Sequence, residues 1–351
     1  MRPFLESTLT RSWLHRGWLA WLLLPLAGLY ALLARGHRAW YALGLGVVEK
    51  APVPLIVVGN VVAGGVGKTP VVMALVEHFQ RRGVAVGIVS RGHGRSQDSA
   101  RLVTHDARAE DVGDEPLLLA QRCAVPVAVA RRRMDAVNAL LQAYPRTQVI
   151  VSDDGLQHHA MRHDMALCVF DDRGVGNGWP LPAGPLREAW PRTPSPGSVQ
   201  FVLSTSAGSS TIPAPAALPE FQVTRQLAPH ARNARGETRP LSHWLGQPIS
   251  ALAGIAHPER FFQMLEQRGL TLARHLSLPD HADTTTLEQA WHSVSNGHAL
   301  LCTEKDAVKL WPRHPEIWAV PLETVLPDTL LKRIDDLLAS KLSSPHGQQT
   351  A

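Results

Sequence analysis

Gly64-Gly65-Val66-Gly67-Lys68-Thr69 follows an apolar run, Leu55 to Val58, and opens an apolar-periodic segment. Glycines at 64, 65 and 67 let a backbone turn its N–H groups inward at a helix start, where they form a nest for an anion. Lys68 then stands where a point charge would reach the β- and γ-phosphates of a nucleotide. The Thr69 hydroxyl stands where it would ligate Mg²⁺. The full P-loop pattern asks for glycine where the chain has Val62, so the loop is closer to the G-G-x-G-K-T variant of the deviant P-loop ATPases. Those proteins usually carry a lysine just before the glycine pair, and here that position is Ala63.

A second cluster of candidates sits at the ends of other apolar runs. Gln148 to Val151 has β character and ends in Ser152-Asp153-Asp154-Gly155, the form of a Walker B element that holds Mg²⁺ opposite a P-loop. Gln157, His158 and His159 follow at once and are placed to orient phosphate, although two histidines in a loop are more often structural. Asp114 and Glu115 stand at a helix start, where capping and the helix dipole are sufficient reason for two acids. Arg91, Arg95, the run Arg131 to Arg133, and Arg187 in an irregular Gly- and Pro-rich loop are candidate anion contacts, against solvated turns. His281 in Pro279-Asp280-His281 is a candidate base or base-orienting residue, against a turn-forming Asp-His. Thr303-Glu304-Lys305-Asp306 has the wrong spacing for a guanine-reading motif, so nothing selects GTP.

The elements that must carry these residues are those of an α/β protein. Buried-type strands are expected at Val84 to Val89, Val125 to Ala130, Gln148 to Val151 and Ala166 to Phe170, each followed by polar residues. After a Pro- and Ser-rich margin from Pro191 to Pro219, a second α/β stretch begins. It reads as strand Ile249 to Ile255, helix Pro258 to Gln267, strand Leu270 to Leu276, a helix near Thr286 to Val294 and strand Ala299 to Thr303. The chain has 351 residues, room for one large domain or two lobes. Its 35 basic and 30 acidic residues give a formal charge of +5, which suits an anionic partner: a phosphorylated lipid, an anionic membrane face or nucleic acid. Cys123, Cys168 and Cys302 are scattered without metal-ligand spacing, which argues for a reducing compartment and against a zinc site.

Trp18 to Ala34 carries no charge and is almost wholly apolar, with Pro25 in its middle and basic and aromatic residues at both ends. A cleaved signal peptide fits poorly, because a small-x-small site is badly formed and export would strip the P-loop of nucleotide. An uncleaved span or an interfacial helix is favoured over the buried helix of a soluble protein.

The stretches VGNVVAGGVGKTP, SRGHGR, VGDEP, DDGLQHH, NGWPLPAGPLRE, AGIAHPERFF, LPDHAD and TEKDAVK, in this order from Pro54 to Lys309, resemble the tetraacyldisaccharide 4′-kinases, the lipid A 4′-kinases of Gram-negative envelope biosynthesis. The resemblance implies an α/β fold with a P-loop NTPase-type, mostly parallel sheet and helices on both faces, a smaller C-terminal α/β lobe and an N-terminal membrane-associating helix. The corresponding divisions are 1–46, 47–235, 236–340 and a disordered tail, 341–351. ATP with Mg²⁺ is the implied donor, and the 4′-hydroxyl of a tetraacyl glucosamine disaccharide 1-phosphate the acceptor. Nucleotide contacts would fall on Gly64, Gly65, Val66, Gly67, Lys68, Thr69, Gln157 and His158, and metal ligation on Thr69, Glu115, Asp153 and Asp154. Asp114 resembles the family's catalytic base and His281 the histidine supporting it, with Lys68 and Arg187 neutralising the transferring phosphoryl group. The implied partners are the lipid substrate and the cytoplasmic face of the inner membrane, with no nucleic acid and no obligate protein partner. Two departures, VGNVVAGG for VGNITVGG and PDHAD without a following histidine or aromatic, touch local packing. The alternative is a deviant-P-loop ATPase or GTPase acting as a switch in metal insertion or partitioning. Such a protein would carry the lysine that Ala63 replaces and would not need the Asp114 and His281 pair.

Overall fold

Leu55, Val57, Ile56 and Val58 alternate between two cores, as successive side chains of a strand must. Leu55 and Val57 pack on one face of a sheet and Ile56 and Val58 on the other, and all four are fully buried. The computed structural model describes residues 12–342 apart from 94, 96–97, 105, 206–211, 214–217, 256, 281 and 295–296. The expectations placed on His281, on Gly94 and on the tail beyond Leu342 lie outside these residues.

In chain order the first lobe runs α1 (Trp18–Ala42), β1 (Glu49–Lys50), β2 (Leu55–Gly59), α2 (Lys68–Arg81), β3 (Val86–Ser90), β4 (Arg101–Leu102), α3 (Ala109–Val112), α4 (Asp114–Cys123), β5 (Val127–Val129), α5 (Arg133–Ala143), β6 (Val149–Asp153), β7 (Met161–Arg162), β8 (Met165–Phe170), β9 (Val199–Ser204) and β10 (Glu220–Gln222). The chain continues through β11 (Thr224–Leu227), β12 (His230–Arg232), β13 (Thr238–Pro240), β14 (Pro248–Ala253), α6 (Pro258–Gln267), β15 (Thr271–Ser277), α7 (Thr284–Val294), β16 (Leu300–Thr303), α8 (Glu304–Leu310), β17 (Trp318–Val320), β18 (Leu322–Val325) and α9 (Asp328–Leu342).

The first sheet has the order β10-β9-β8-β2-β6-β3-β5-β4, parallel throughout except for β4 at its edge. Helix α2 packs its Val71, Val72, Leu75, Val76 and Phe79 on one face. Helix α5 packs Met134, Ala136, Val137 and Leu140 on the other. With helices on both faces, the central strands must be apolar along their whole length, which is why they read as continuous runs. Neighbours of β2 diverge to β6 on one side and β8 on the other, so a crevice opens beyond its carboxyl end, the place where such sheets bind ligands. The register Val58↔Asp153 puts the acid at the end of β6 beside the start of the glycine loop.

The second sheet has the order β13-β12-β17-β16-β14-β15, with a parallel centre and antiparallel β12 and β13. The 235/236 division falls inside the turn between β12 and β13. Sheet membership changes earlier, after Gln222: β11 pairs antiparallel with β18, so the two strands that join the lobes lie side by side. The chain then returns to the first lobe. Leu330, Ile334 and Leu338 of α9 enter the same core as Val72 and Phe79, and Asp335 accepts from His78 at 2.9 Å. Each fully buried aliphatic side chain contributes about 1.5–3 kcal/mol, so α9 is a structural part of the nucleotide lobe.

Helix α1 continues through Pro25 and fully buries only Ala20 and Ala27. It is long and apolar enough to cross a membrane by length and composition. Trp18, Leu22, Leu32 and Leu33 are 77%, 67%, 66% and 64% exposed, so the helix is not the core helix of a soluble body. Its other face lies on the Gly- and Pro-rich loop: Trp21 meets Trp179 edge-on at 4.9 Å, and Tyr30 donates to the Arg187 carbonyl.

Candidate active site

Gly67 has φ 75° and is the N-cap of α2, and Gly64 has φ 94°. Both conformations disfavour a side chain, which accounts for the glycines at these points of the loop. No side chain caps α2, so the amides of its first turn are left for a ligand. Two arginines brace the loop through its carbonyls. Arg173, beyond β8, donates to Gly65 O at 3.1 Å while pairing with Asp171, and Arg225 of β11 donates to Val66 O and to Gly67 O. Burial pulls the Arg225 guanidinium down to about 10, which leaves it charged. Nothing local points either arginine at the loop, because the loop carbonyls they reach lie more than a hundred residues away.

Lys68 Nζ lies 3.3 Å from Asn60 Oδ1 and 3.5 Å from Asp154 Oδ1. Arg187 reaches the same carboxylate at 3.2 Å. Burial works against ionisation of Asp154, but Lys68 and Arg187 outweigh it and hold the carboxyl below its ordinary range. Asp154 has φ 51°, a left-handed backbone that a non-glycine residue adopts at a cost of order 1 kcal/mol or more. Arg133 steadies that turn: its buried guanidinium donates to Asp154 O at 3.1 Å and Asp153 O at 3.4 Å. The Arg131 to Arg133 run is thus neither a clamp nor a single solvated face, since Arg133 is interior while Arg131 and Arg132 pair with Asp98 and Glu49.

Asp153 is 1% exposed, and neither carboxylate oxygen has a hydrogen-bond partner among the described residues. Burial, with the charge of Glu115 adding to it, pushes its carboxyl up to about 7. Gln157 donates to Asn60 O at 2.9 Å and to Glu188 at 2.8 Å, so it ties the strand after which the loop begins to the loop that carries Arg187. His158 is held neutral, pushed down to about 4 by burial and by Arg133 and Arg91.

Asp114 and Glu115 begin α4, but neither caps it: the N-cap is Gly113 and no side-chain cap bond forms. They face the second lobe instead. Asp114 Oδ2 lies 2.6 Å from Lys309 Nζ, and Glu115 lies 4.0 Å from Lys305, which pairs with Asp280 at 2.7 Å. Lys309 also donates to Ala282 O at 2.7 Å, so Asp280 and Ala282 are both linked through these lysines to the start of α4. Between the lobes lies a cleft of ≈ 310 Å³ whose walls include Gly67, Thr69, Glu115, Arg225, Asp280 and His257. His257 stands 3.8 Å from Asp171, and Arg260 pairs with Asp172, which closes the far edge.

The hard oxygen ligands Thr69, Glu115, Asp153 and Asp154 fit Mg²⁺, and the unpartnered buried carboxylate of Asp153 is the observation that supports them. Among the described residues no three His, Cys, Asp or Glu side chains form a closed metal cage. An ion bound together with a nucleotide does not require one, because phosphates and waters complete its shell.

Residues 19–339 match the sequence model of a family described as tetraacyldisaccharide-1-P 4′-kinase. The chain is 49% identical over 343 residues to a tetraacyldisaccharide 4′-kinase of Acidovorax sp. (strain JS42), covering 97% of each. It is 49% identical over 353 residues to one of Polaromonas naphthalenivorans (strain CJ2), covering 99% of this chain and 100% of the relative. Its fold is similar to a crystal structure of LpxK from Aquifex aeolicus in complex with ATP, with a TM-score of 0.76 and 26% identity over 91% of this chain and 99% of that one.

Proposed function

The chain belongs to the tetraacyldisaccharide-1-P 4′-kinase family, and from that premise we propose how its cleft carries out the transfer. It is an ATP-dependent phosphotransferase of lipid A biosynthesis that moves the γ-phosphate to the 4′-hydroxyl of a tetraacyl glucosamine disaccharide 1-phosphate. The switch-ATPase alternative falls with that assignment.

One observation carries the site reading: Thr69 of the glycine loop, Glu115 of α4 and Asp280 of the second lobe line one cleft. Phosphoryl transfer asks the protein mainly for positioning and charge stabilisation. The glycine loop and Lys68 hold the phosphates. Arg187, 3.2 Å from Asp154, stands with Lys68 on the side where negative charge develops, and Asp154 keeps both cations in place. Asp114 accepts the proton of the sugar hydroxyl, with His281 supporting it, a contribution of roughly 10²–10⁴-fold. Thr69, Asp153 and Asp154, with Glu115 beside them, would hold Mg²⁺, which would supply neutralisation of the phosphate oxygens. Gln157, bonded to Asn60 O, and His158, kept neutral by burial and by Arg133 and Arg91, are the further nucleotide contacts beyond the glycine loop.

Helix α1 lies in the interface of the cytoplasmic leaflet of the inner membrane. Contacts to the body at Trp21, Tyr30 and Arg38, with Arg16 just ahead of the helix, run along most of its length, which favours a helix lying on the surface over one standing across a bilayer. Its exposed tryptophans and leucines then face acyl chains, where the lipid acceptor resides.

The test is transfer of labelled γ-phosphate to tetraacyldisaccharide 1-phosphate, with Lys68→Ala and a lipid-free reaction alongside. Labelled lipid that disappears in the variant supports the reading; nucleotide hydrolysis without a lipid product contradicts it.

A further inference from the structure

Lys305 and Lys309 stand four positions apart on α8, so their ammonium groups leave one face a single turn apart. Each grips the same two elements. Lys309 pairs with Asp114 at 2.6 Å and donates to Ala282 O at 2.7 Å; Lys305 pairs with Asp280 at 2.7 Å and lies 4.0 Å from Glu115. Their side chains are only 6% and 14% exposed, so these are desolvated cations rather than surface charges, and they require those partners.

The helix that carries them is itself fixed. Thr303 accepts from the Asp306 N–H as its N-cap, and the buried Asp306 carboxylate accepts from the Gly254 N–H at 2.9 Å and from the Thr303 hydroxyl at 2.6 Å. Two lysines on a fixed support therefore set the distance from the start of α4 to Asp280 and Ala282.

Holding the lobes together does not need them. The β11 and β18 pair, the core contacts of α9, and the ion pairs Arg260 with Asp172 and Arg122 with Glu304 already join the lobes. We infer that Lys305 and Lys309 are positioning residues for the transfer, which fix the Asp114 carboxylate relative to Asp280 and Ala282 of the second lobe. The inference rests on the reading of Asp114 as proton acceptor.

The test is a set of full-length variants, Lys309→Met, Lys309→Arg, Lys305→Met, Asp114→Asn and Asp114→Asn with Lys309→Met, assayed for kcat and for ATP binding. Lys309→Met is expected to lower kcat on the order of 10²-fold, as misplacement of a reacting group by about 1 Å does. ATP affinity should stay within about twofold, since the lysine touches no phosphate-loop residue, and Lys309→Arg should recover much of kcat. In the Asp114→Asn background, Lys309→Met should add less than about threefold, because residues that act as a unit are non-additive. Should Lys309→Met also lose ATP binding, Lys305→Met carries the same test. The inference is overturned if the lysine variants keep kcat, or if the losses in the double variant multiply. If instead Asp114→Asn keeps kcat, it is the reading of Asp114 that fails.

Discussion

The Tyr30 hydroxyl donates to the carbonyl oxygen of Arg187 at 2.8 Å, and the Arg187 guanidinium pairs with Asp154 at 3.2 Å. The apolar N-terminal helix is thereby tied, through one residue, to the carboxylate that also pairs with Lys68 of the glycine loop, so under the proposed function the membrane-facing helix and the cation next to the phosphates are coupled.

Tyr30→Phe removes that bond and keeps the ring. We expect it to cost about 0.5–1.5 kcal/mol of stability and several-fold in turnover, with ATP affinity unchanged. Thermal unfolding and steady-state kinetics on vesicle-dispersed acceptor check this. A variant with wild-type kcat would separate the helix from the site.

Deleting residues 1–35 should leave a body that binds ATP but sediments less with anionic vesicles. The exposed Trp18, Leu22 and Leu32 would be gone, while the core of the nucleotide lobe contains no residue of α1. Vesicle co-sedimentation unchanged by the deletion would show that attachment lies elsewhere.

Gly67→Ala should cut ATP affinity at least about tenfold. A side chain at φ 75° is strained by about 1–2 kcal/mol, and its Cβ would run into the Arg225 guanidinium. Isothermal titration with ATP reads the change; an affinity equal to that of the parent would show that the loop tolerates a shifted Arg225.

His163 supplies a pH signature away from the site. Burial, then Arg192, pushes its ring down to about 4 from an ordinary 6.5, so the unfolded chain binds a proton that the folded protein refuses. Stability from this group is fully present above pH 6.5 and falls as the pH drops toward 4. At pH 5 the loss is about 2 kcal/mol. Urea unfolding of His163→Gln against the parent should show the difference between them shrinking or reversing as pH is lowered from 7.5 to 5. A difference independent of pH would contradict the buried, neutral state.

The glycine loop and the Asp153-Asp154 turn are legible in sequence because each is a local device: a strand ends, and the residues proposed for phosphate and metal follow directly. The parallel strands are legible for the same reason that they are buried, as continuous apolar runs. Arg173, Arg225 and Lys309 are not legible as site residues, because each acquires its role from a partner brought close only by the sheet order and the lobe junction. Arg133 looks like its neighbours Arg131 and Arg132 and differs only in facing inward at the start of α5. Helix α8 begins where polar residues follow a strand, and only the Thr303 cap distinguishes it from a loop. Helix α9 carries an amphipathic pattern, but no pattern states that its apolar face returns to the first lobe.

The most direct test of the account is the turnover of Asp114→Ala measured beside its ATP affinity. The geometry of a carboxylate held by Lys309 at the lobe junction predicts a fall of roughly 10²–10⁴-fold in kcat with nucleotide binding little changed. Turnover that survives intact would make Asp114 a structural partner of Lys309 and place the proton acceptor elsewhere in the cleft.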